Sequence, residues 1–168
     1  TMIKVPQDGK TIGEIMIRGN IVMKGYFKDK AATDKAMAGG WFHTGDAGYV
    51  DADGFVYVVD RIKDMVLRGG ENVYCVEVET VLFEHAAIRD CAVIGLPHDK
   101  LGEEVAAVLV AAEGFGSNHD EEILAFLKTR LASFKVPSKV FWHHEELPRN
   151  ATGKVLKKDL RDEYAAKK

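Results

Sequence analysis

The chain has 168 residues, of which 46% are hydrophobic and 29% charged, with a formal net charge of −3. That suits one ordinary soluble globular domain, or a small domain with an attached segment, and the overall charge points to no particular partner. No apolar run approaches the roughly 18 residues needed to span a bilayer, no signal-peptide pattern is present, and the two cysteines, Cys75 and Cys91, fit neither a disulfide framework nor a CxxC zinc site.

Each cysteine is therefore expected to be a small buried hydrophobe, and the protein to be cytoplasmic. Charge is uneven along the chain. From Phe134 onward nine Lys/Arg stand against five Asp/Glu, while residues 1–133 carry a net −7. A basic tail suits nucleic acid, an anionic membrane or phosphorylated small molecules, or is simply a solvated helix surface.

Residues 1–60 are dominated by turn signals and alternating apolar positions. The opening run Thr1-Met2-Ile3-Lys4-Val5 reads like the middle of a β-rich region rather than a natural beginning. Asp8-Gly9, then Ile12, Ile15 and Ile17 with Gly13 and Gly19 between them, predict short strands and tight turns. Lys30 to Met37 is a short helix candidate stopped by Gly39-Gly40. Asp51-Ala52-Asp53-Gly54 between Tyr49-Val50 and Phe55 to Val59 predicts a hairpin.

From residue 61 the texture changes. Val76 to His85 is expected to be an amphipathic helix. Ile88 to Leu96 and Val105 to Ala112 read as strands separated by a Pro97-His98-Asp99 turn and Gly102. Ser117 with Asp120 resembles a capping box opening a helix with Ile123, Leu124, Leu127 and Leu131 on one face. Pro137 precedes a strand from Lys139 to His143, and a charged helix over about Val155 to Ala166 follows. The order is helix, strand, strand, helix, strand, helix, an α+β fold built as a small two-layer α/β domain. The boundary between the textures falls in Asp60-Arg61-Ile62-Lys63-Asp64.

Several chemistries are excluded. Gly153-Lys154 lacks the upstream glycine and the Ser/Thr of a phosphate-binding P-loop, and Gly114-Phe115-Gly116 lacks the third glycine of a dinucleotide fingerprint. None of the six histidines shows zinc-helix spacing, and no Gly-x-Ser-x-Gly elbow occurs. Three clusters remain. In Trp41-Phe42-His43-Thr44-Gly45-Asp46 the acid after a glycine turn could accept hydrogen bonds from a vicinal diol, or be a solvated turn carboxylate. Asp60 to Asp64 with Leu67-Arg68-Gly69-Gly70-Glu71-Asn72 joins a charged stretch to paired glycines. Those glycines would let the backbone approach a narrow ligand, or form a plain hairpin turn beside surface ion pairs. In Leu147-Pro148-Arg149-Asn150-Ala151-Thr152-Gly153-Lys154, a lysine on a glycine-containing loop ahead of a helix is a movable cation suited to phosphate oxygens, or one more solvated lysine.

Taken in order, these segments are more specific than any of them alone. Gly13 to Gly19, Met23-Lys24-Gly25-Tyr26, Trp41 to Asp46, Asp60 to Asp64 with Gly69 to Val73, Glu77-Val78-Glu79, and Pro148 to Lys154 resemble consecutive signatures of the AMP-forming acyl-CoA synthetases, the adenylate-forming ligases. The resemblance covers essentially the whole chain and is greatest to fatty-acid–CoA ligases. It implies that residues 1–60 are the end of a β-barrel subdomain of a much larger domain and that residues 61–168 are a mobile C-terminal lid. The ATP loop and the acyl pocket would lie in that larger domain, so the chain alone is expected to be inactive.

By the same resemblance, Asp46 accepts the ribose hydroxyls of ATP and Arg61 approaches the same region. Lys154 is the catalytic cation of adenylate formation, Lys63 the hinge, and Gly69 and Gly70 border the path of the CoA thiol. ATP and CoA are the implied cofactors, with Mg2+ accompanying ATP through ligands outside this chain and no metal site within it. The implied partners are a carboxylic (fatty) acid substrate, ATP and CoA, without nucleic acid or a transmembrane segment, and with room for peripheral membrane contact. Phe134-Lys135 lies where relatives place some contacts to the CoA nucleotide. Leu67 stands where firefly-type luciferases carry a lysine, which argues against light emission. Aryl-CoA ligases and fatty-acyl-AMP ligases share the motifs. A non-catalytic interaction module is disfavoured because Asp46, Arg61, Lys63 and Lys154 are all retained.

Overall fold

The computed structural model describes residues 2–167. It divides into two compact units, Thr1–Lys63 and Asp64–Lys168. No helix among the described residues is long and apolar enough to cross a membrane.

In the first unit, strands β1 (Gly13–Ile17), β2 (Phe42–Val50) and β3 (Val56–Arg61) form an antiparallel sheet in that order, with helix α1 (Lys30–Ala36) between β1 and β2. Asp29 caps α1 by accepting from the Ala32 amide at 2.8 Å. The expected hairpin joins β2 to β3, and Asp51 holds it. Its Oδ1 accepts from the amides of Asp53 (3.0 Å) and Phe55 (2.9 Å), and its Oδ2 accepts from the Tyr57 hydroxyl (3.0 Å). Asp8 uses the same device, accepting from Lys10, Thr11 and the Thr11 hydroxyl; the Thr11 bonds hold its carboxyl down at about 2. Few apolar side chains are enclosed here. Ala47 is buried, whereas Phe55, Val56 and Val58 are more than half exposed.

The second unit is built on β6 (Ile88–His98) and β7 (Gly102–Ala111), an antiparallel pair running from Ile88↔Ala111 to His98↔Gly102. The other edge of β7 takes β4 (Val66–Arg68) at Gly102 and, in parallel, β8 (Lys139–Trp142) along Ala106 to Leu109; β5 (Glu71–Val73) completes the sheet beside β4. Helices α2 (Cys75–Phe83) and α3 (Asp120–Lys128) cover one face, where Val78, Leu82, Ile123 and Leu127 meet Cys91, Val93, Val105, Ala107 and Leu109. Helix α4 (Lys157–Ala165) covers the other, where Leu160 and Tyr164 meet Ile94, Leu96, Ala106 and Val108. With both faces buried, β6 and β7 have no polar side to display, which explains their near-continuous apolar sequences.

The α+β order read from the sequence holds, and the structure adjusts several boundaries. Pro97 and His98 extend β6 instead of turning it. β6 pairs only with β7, so a proline there costs no ladder bond on its open side, and the turn itself is closed by the Lys100 and Leu101 amides donating to His98 Nδ1 at 3.2 Å. The capping box at Ser117 does not form. Helix α3 begins at Asp120 with His119 at its N-cap, and the His119 ring pairs with Glu122 at 2.9 Å. Val155 belongs to a bridge with Arg149, so α4 starts only at Lys157.

Both cysteines are buried thiols. Burial drives the Cys91 thiol far above its ordinary value, so it stays protonated as a packing group. Leu127→Ala, which opens a cavity at a side chain with no exposure, is expected to cost about 2–5 kcal/mol of unfolding free energy, measurable by urea denaturation of this chain. A loss below about 1 kcal/mol would show that α3 is not part of the cooperative core.

Candidate functional site

Asp46 and Arg61, 15 residues apart in sequence, are direct register partners across β2 and β3. The Arg61 Nε donates to Asp46 Oδ1 at 2.7 Å. The Asp46 backbone is set by Thr44, whose hydroxyl accepts from the Asp46 amide (3.0 Å) and donates to the Ile15 carbonyl on β1 (2.7 Å). His43 adds a second tie between β2 and β1, its Nδ1 lying 2.7 Å from Glu14 Oε2 and its Nε2 3.2 Å from the Ala38 carbonyl. Glu14 lies in the Gly13 to Gly19 run, but its pairing with His43 has no local signal, because the two are 29 residues apart.

Lys63 lies in a short 3-10 turn, Ile62–Asp64, where the two units meet along the chain. The residue after it is anchored. Asp64 is buried, its carboxylate takes Arg161 of α4 at 3.0 Å, and its carbonyl accepts from the Cys75 thiol at 2.8 Å.

Gly69 and Gly70 form the tight turn between β4 and β5, both with positive φ (60° and 91°), a geometry that L side chains rarely adopt and that glycine accepts without strain. The Gly69 amide donates to the Leu101 carbonyl at 2.8 Å, which docks the turn on the β6–β7 connection. The acidic pair that follows is structural. Glu77 binds the Lys135 ammonium through both oxygens (2.6 and 2.7 Å). Glu79 accepts from the Val93 amide and pairs with Lys157, each at 2.7 Å, tying α2 to β6 and α4. Lys135 is thus already engaged within the fold.

Lys154 ends a closed loop. The Asn150 Oδ1 accepts from the Thr152 amide, the Thr152 hydroxyl and the Lys154 amide at 2.8–3.0 Å, and the Asn150 amide donates to the Lys154 carbonyl at 2.9 Å. An Asn two residues ahead of a Thr-Gly pair is a side-chain turn signal that could have revealed this. Arg149, whose place in the motif gives no sign of its partners, grips the loop from outside. Its Nη1 donates to the Gly153 carbonyl (2.8 Å) and its Nη2 pairs with Asp90 of β6 (2.6 Å). The Lys154 side chain is exposed and its ammonium makes no ion pair among the described residues. The loop and the Gly69-Gly70 turn sit near opposite ends of the β6–β7 ladder. One is fixed at Asp90↔Val110 and the other beside Gly102, eight strand residues or about 26 Å apart.

Residues 77–154, from α2 to Lys154 itself, match the AMP-binding enzyme C-terminal domain. A 2-succinylbenzoate–CoA ligase of Bacillus cereus is 42% identical over 164 residues, covering 95% of this chain and 33% of the relative. A long-chain-fatty-acid–CoA ligase of Mycobacterium tuberculosis is 45% identical over 154 residues, covering 92% of this chain and 30% of the relative. The chain carries the C-terminal domain of AMP-binding enzymes, and its homologues are acyl-CoA ligases. The crystal structure of ATP-bound MatB from Rhodopseudomonas palustris superposes with a TM-score of 0.87 at 38% identity, over 96% of this chain and 31% of that one. The chain spans about a third of the length of the curated relatives it matches. The family match ends at Lys154, the last residue of the loop that Asn150 and Arg149 hold.

The His43–Glu14 contact makes a pH-dependent contribution with a definite sign. The hydrogen bond to Glu14 raises the His43 pKa above 6.5, against a smaller opposing effect of desolvation. A raised folded-state value means the stabilisation is fully present below the unfolded value of about 6.5 and is lost as pH rises through the folded value. An NMR titration is expected to place His43 above 6.5 and Glu14→Gln to bring it back down. A midpoint unchanged by that substitution would remove Glu14 as the cause.

Proposed function

We propose that this chain is the C-terminal portion of an ATP-dependent carboxylate–CoA ligase that forms acyl-AMP and then acyl-CoA, with a fatty acid as the acid. The observation that carries this is the Lys154 loop: a cation without an ion pair among the described residues, on a turn whose backbone is tied internally and to β6. In the first half-reaction a carboxylate oxygen attacks the α-phosphorus of ATP, the bond to pyrophosphate breaks, and acyl-AMP forms. Negative charge builds on the phosphorus oxygens, and a positioned ammonium lowers the barrier electrostatically. Arg61 occupies one oxygen of Asp46 and fixes the carboxylate plane, leaving Oδ2 for a ribose hydroxyl.

In the second half-reaction the CoA thiol loses its proton and attacks the acyl carbon, and AMP leaves. Gly69 and Gly70 offer a side-chain-free edge past which a narrow pantetheine arm can run. The roughly 26 Å of ladder between the strand positions that anchor this turn and the Lys154 loop supports a lid that presents one end at a time. Lys63, between the sheet of the first unit and the buried Asp64 of the second, is the hinge about which it turns.

Residues 1–60 then belong to the β-barrel subdomain of a larger domain, and residues 61–168 are the lid. The exposed apolar side chains of β3 favour further covering structure over a free-standing sheet. Mg2+ would accompany the ATP phosphates. Among the described residues no three His, Cys, Asp or Glu side chains are grouped to hold a metal ion, so no step here is routed through one. The proposed setting is the cytoplasm. In α4 and just beyond it, Lys158 and Lys167 are already paired with Asp162 and Glu163, which leaves the basic tail limited charge for an anionic membrane. An aryl acid is the second reading, favoured by the 2-succinylbenzoate–CoA ligase relative at 42% identity.

In the full-length ligase, Lys154→Ala is expected to lower adenylate formation by about 10²–10³-fold while leaving thioester formation from supplied acyl-AMP largely intact. Equal losses in the two assays would defeat the two-position lid. Lys63→Pro, which restricts the backbone where rotation is needed, is expected to do the reverse, sparing adenylation and slowing transfer to CoA. Undiminished transfer would remove Lys63 as the hinge.

A further inference from the structure

We infer that Asp90 and Arg149 form a latch that positions Lys154 for adenylate formation, so that a carboxylate 64 residues upstream of the catalytic cation sets its reach. This rests on the proposed role of Lys154 and extends it to residues that touch neither substrate.

The geometry is specific. The guanidinium of Arg149 is a planar fork, and each arm has a different acceptor: Nη1 donates to the Gly153 carbonyl at 2.8 Å, and Nη2 donates to Asp90 Oδ2 at 2.6 Å. Gly153 is the residue before Lys154 and has φ +82°, so its carbonyl direction is the soft point of the loop. Asp90 is near the start of β6, in register with Val110, on a strand paired with β7 along almost its whole length. Its Oδ1 is used as well, accepting from the Cys91 amide at 3.0 Å, which fixes the carboxylate relative to the strand. The chain of contacts runs from the β6–β7 ladder through Asp90 and Arg149 to the peptide unit that precedes Lys154. Asn150 closes the loop on itself, and Arg149 ties it to β6 by a side-chain ion pair.

Magnitude separates this role from a structural one. The Arg149 side chain is 42% exposed and that of Asp90 19%, beside an open cleft shared with Arg89 and Glu146. An ion pair this exposed contributes about 0–1 kcal/mol to folding. Its loss leaves the unit folded but frees the loop, and a misplacement of about 1 Å at a reacting centre costs on the order of 10²-fold in rate.

The test uses the full-length ligase, with adenylation and transfer from supplied acyl-AMP assayed separately. Asp90→Asn and Arg149→Lys are expected to lower the kcat of adenylation by about 10–10²-fold, with the KM for ATP and the transfer rate changed by about twofold or less and Tm nearly unchanged. Lysine keeps the charge but cannot hold both acceptors, so it should not restore the rate. In a Lys154→Ala background Asp90→Asn is expected to have no further effect, because its action passes through Lys154. A full additional loss there, equal losses in both half-reactions, or an unaltered adenylation rate in Asp90→Asn would each overturn the latch. If Lys154→Ala itself leaves adenylation intact, the proposed function fails and the latch falls with it. If Lys154→Ala is defective and Asp90→Asn is not, the latch alone fails.

Discussion

Strands β6 and β7 pair along almost their whole length, and neither face of the pair is open to water. Residues alternate between a face closed by α2 and α3 and a face closed by α4, so the middle of the ladder can carry only apolar side chains. Polar groups emerge only where the ladder ends. At one end Asp90 reaches Arg149 and the Lys154 loop, and at the other the β6–β7 turn takes the Gly69 amide. The apolar run between them is therefore a ruler. Its length keeps the cationic loop and the glycine turn apart, and its two-sided burial makes it stiff enough for that separation to be fixed.

Charged side chains in the second unit serve chiefly to set positions. Glu79 joins α2, β6 and α4, Glu77 holds Lys135, and Asp64 holds Arg161 at the point where the unit begins. Pairs of this kind, partly exposed, contribute little net stability, but they select one arrangement of elements that apolar contacts alone would define more loosely. Lys154 lies outside that pattern. Lys135, Lys139, Lys157, Lys158 and Lys167 all have carboxylate partners, whereas Lys154, like Lys100 and Lys128, makes no ion pair among the described residues. A cation held by its backbone and left unneutralised at its tip is what an electrostatic role at a phosphate requires.

The first unit obeys a different balance. Its sheet is organised by turn carboxylates and by cross-strand polar pairs such as Asp46–Arg61 and Glu14–His43, while β3 leaves large apolar side chains uncovered. Local hydrogen bonding thus defines its register more than enclosed apolar volume does. That is why the placement of Asp46 opposite Arg61 depends on the Asp51 hairpin that sets the β2–β3 pairing.

Much of this was legible in the residues themselves. Apolar runs and turn signals located the strands and helices of both units, because burial period and turn chemistry are local properties of the chain. The glycine pair announced a hairpin for the same reason, and the ordered motifs named the family. Boundaries at His98, Asp120 and Lys157 were not legible, since each was moved by a contact from elsewhere: a ladder partner, the His119–Glu122 pair, and the Arg149–Val155 bridge. The sequence by itself determined which residues could carry charge, turn sharply or hide from water. Only the tertiary structure decided which of them meet, as Asp90 meets Arg149 across 59 residues and Asp64 meets Arg161 across 97, because such pairings are set by how the sheet and helices close on a shared core.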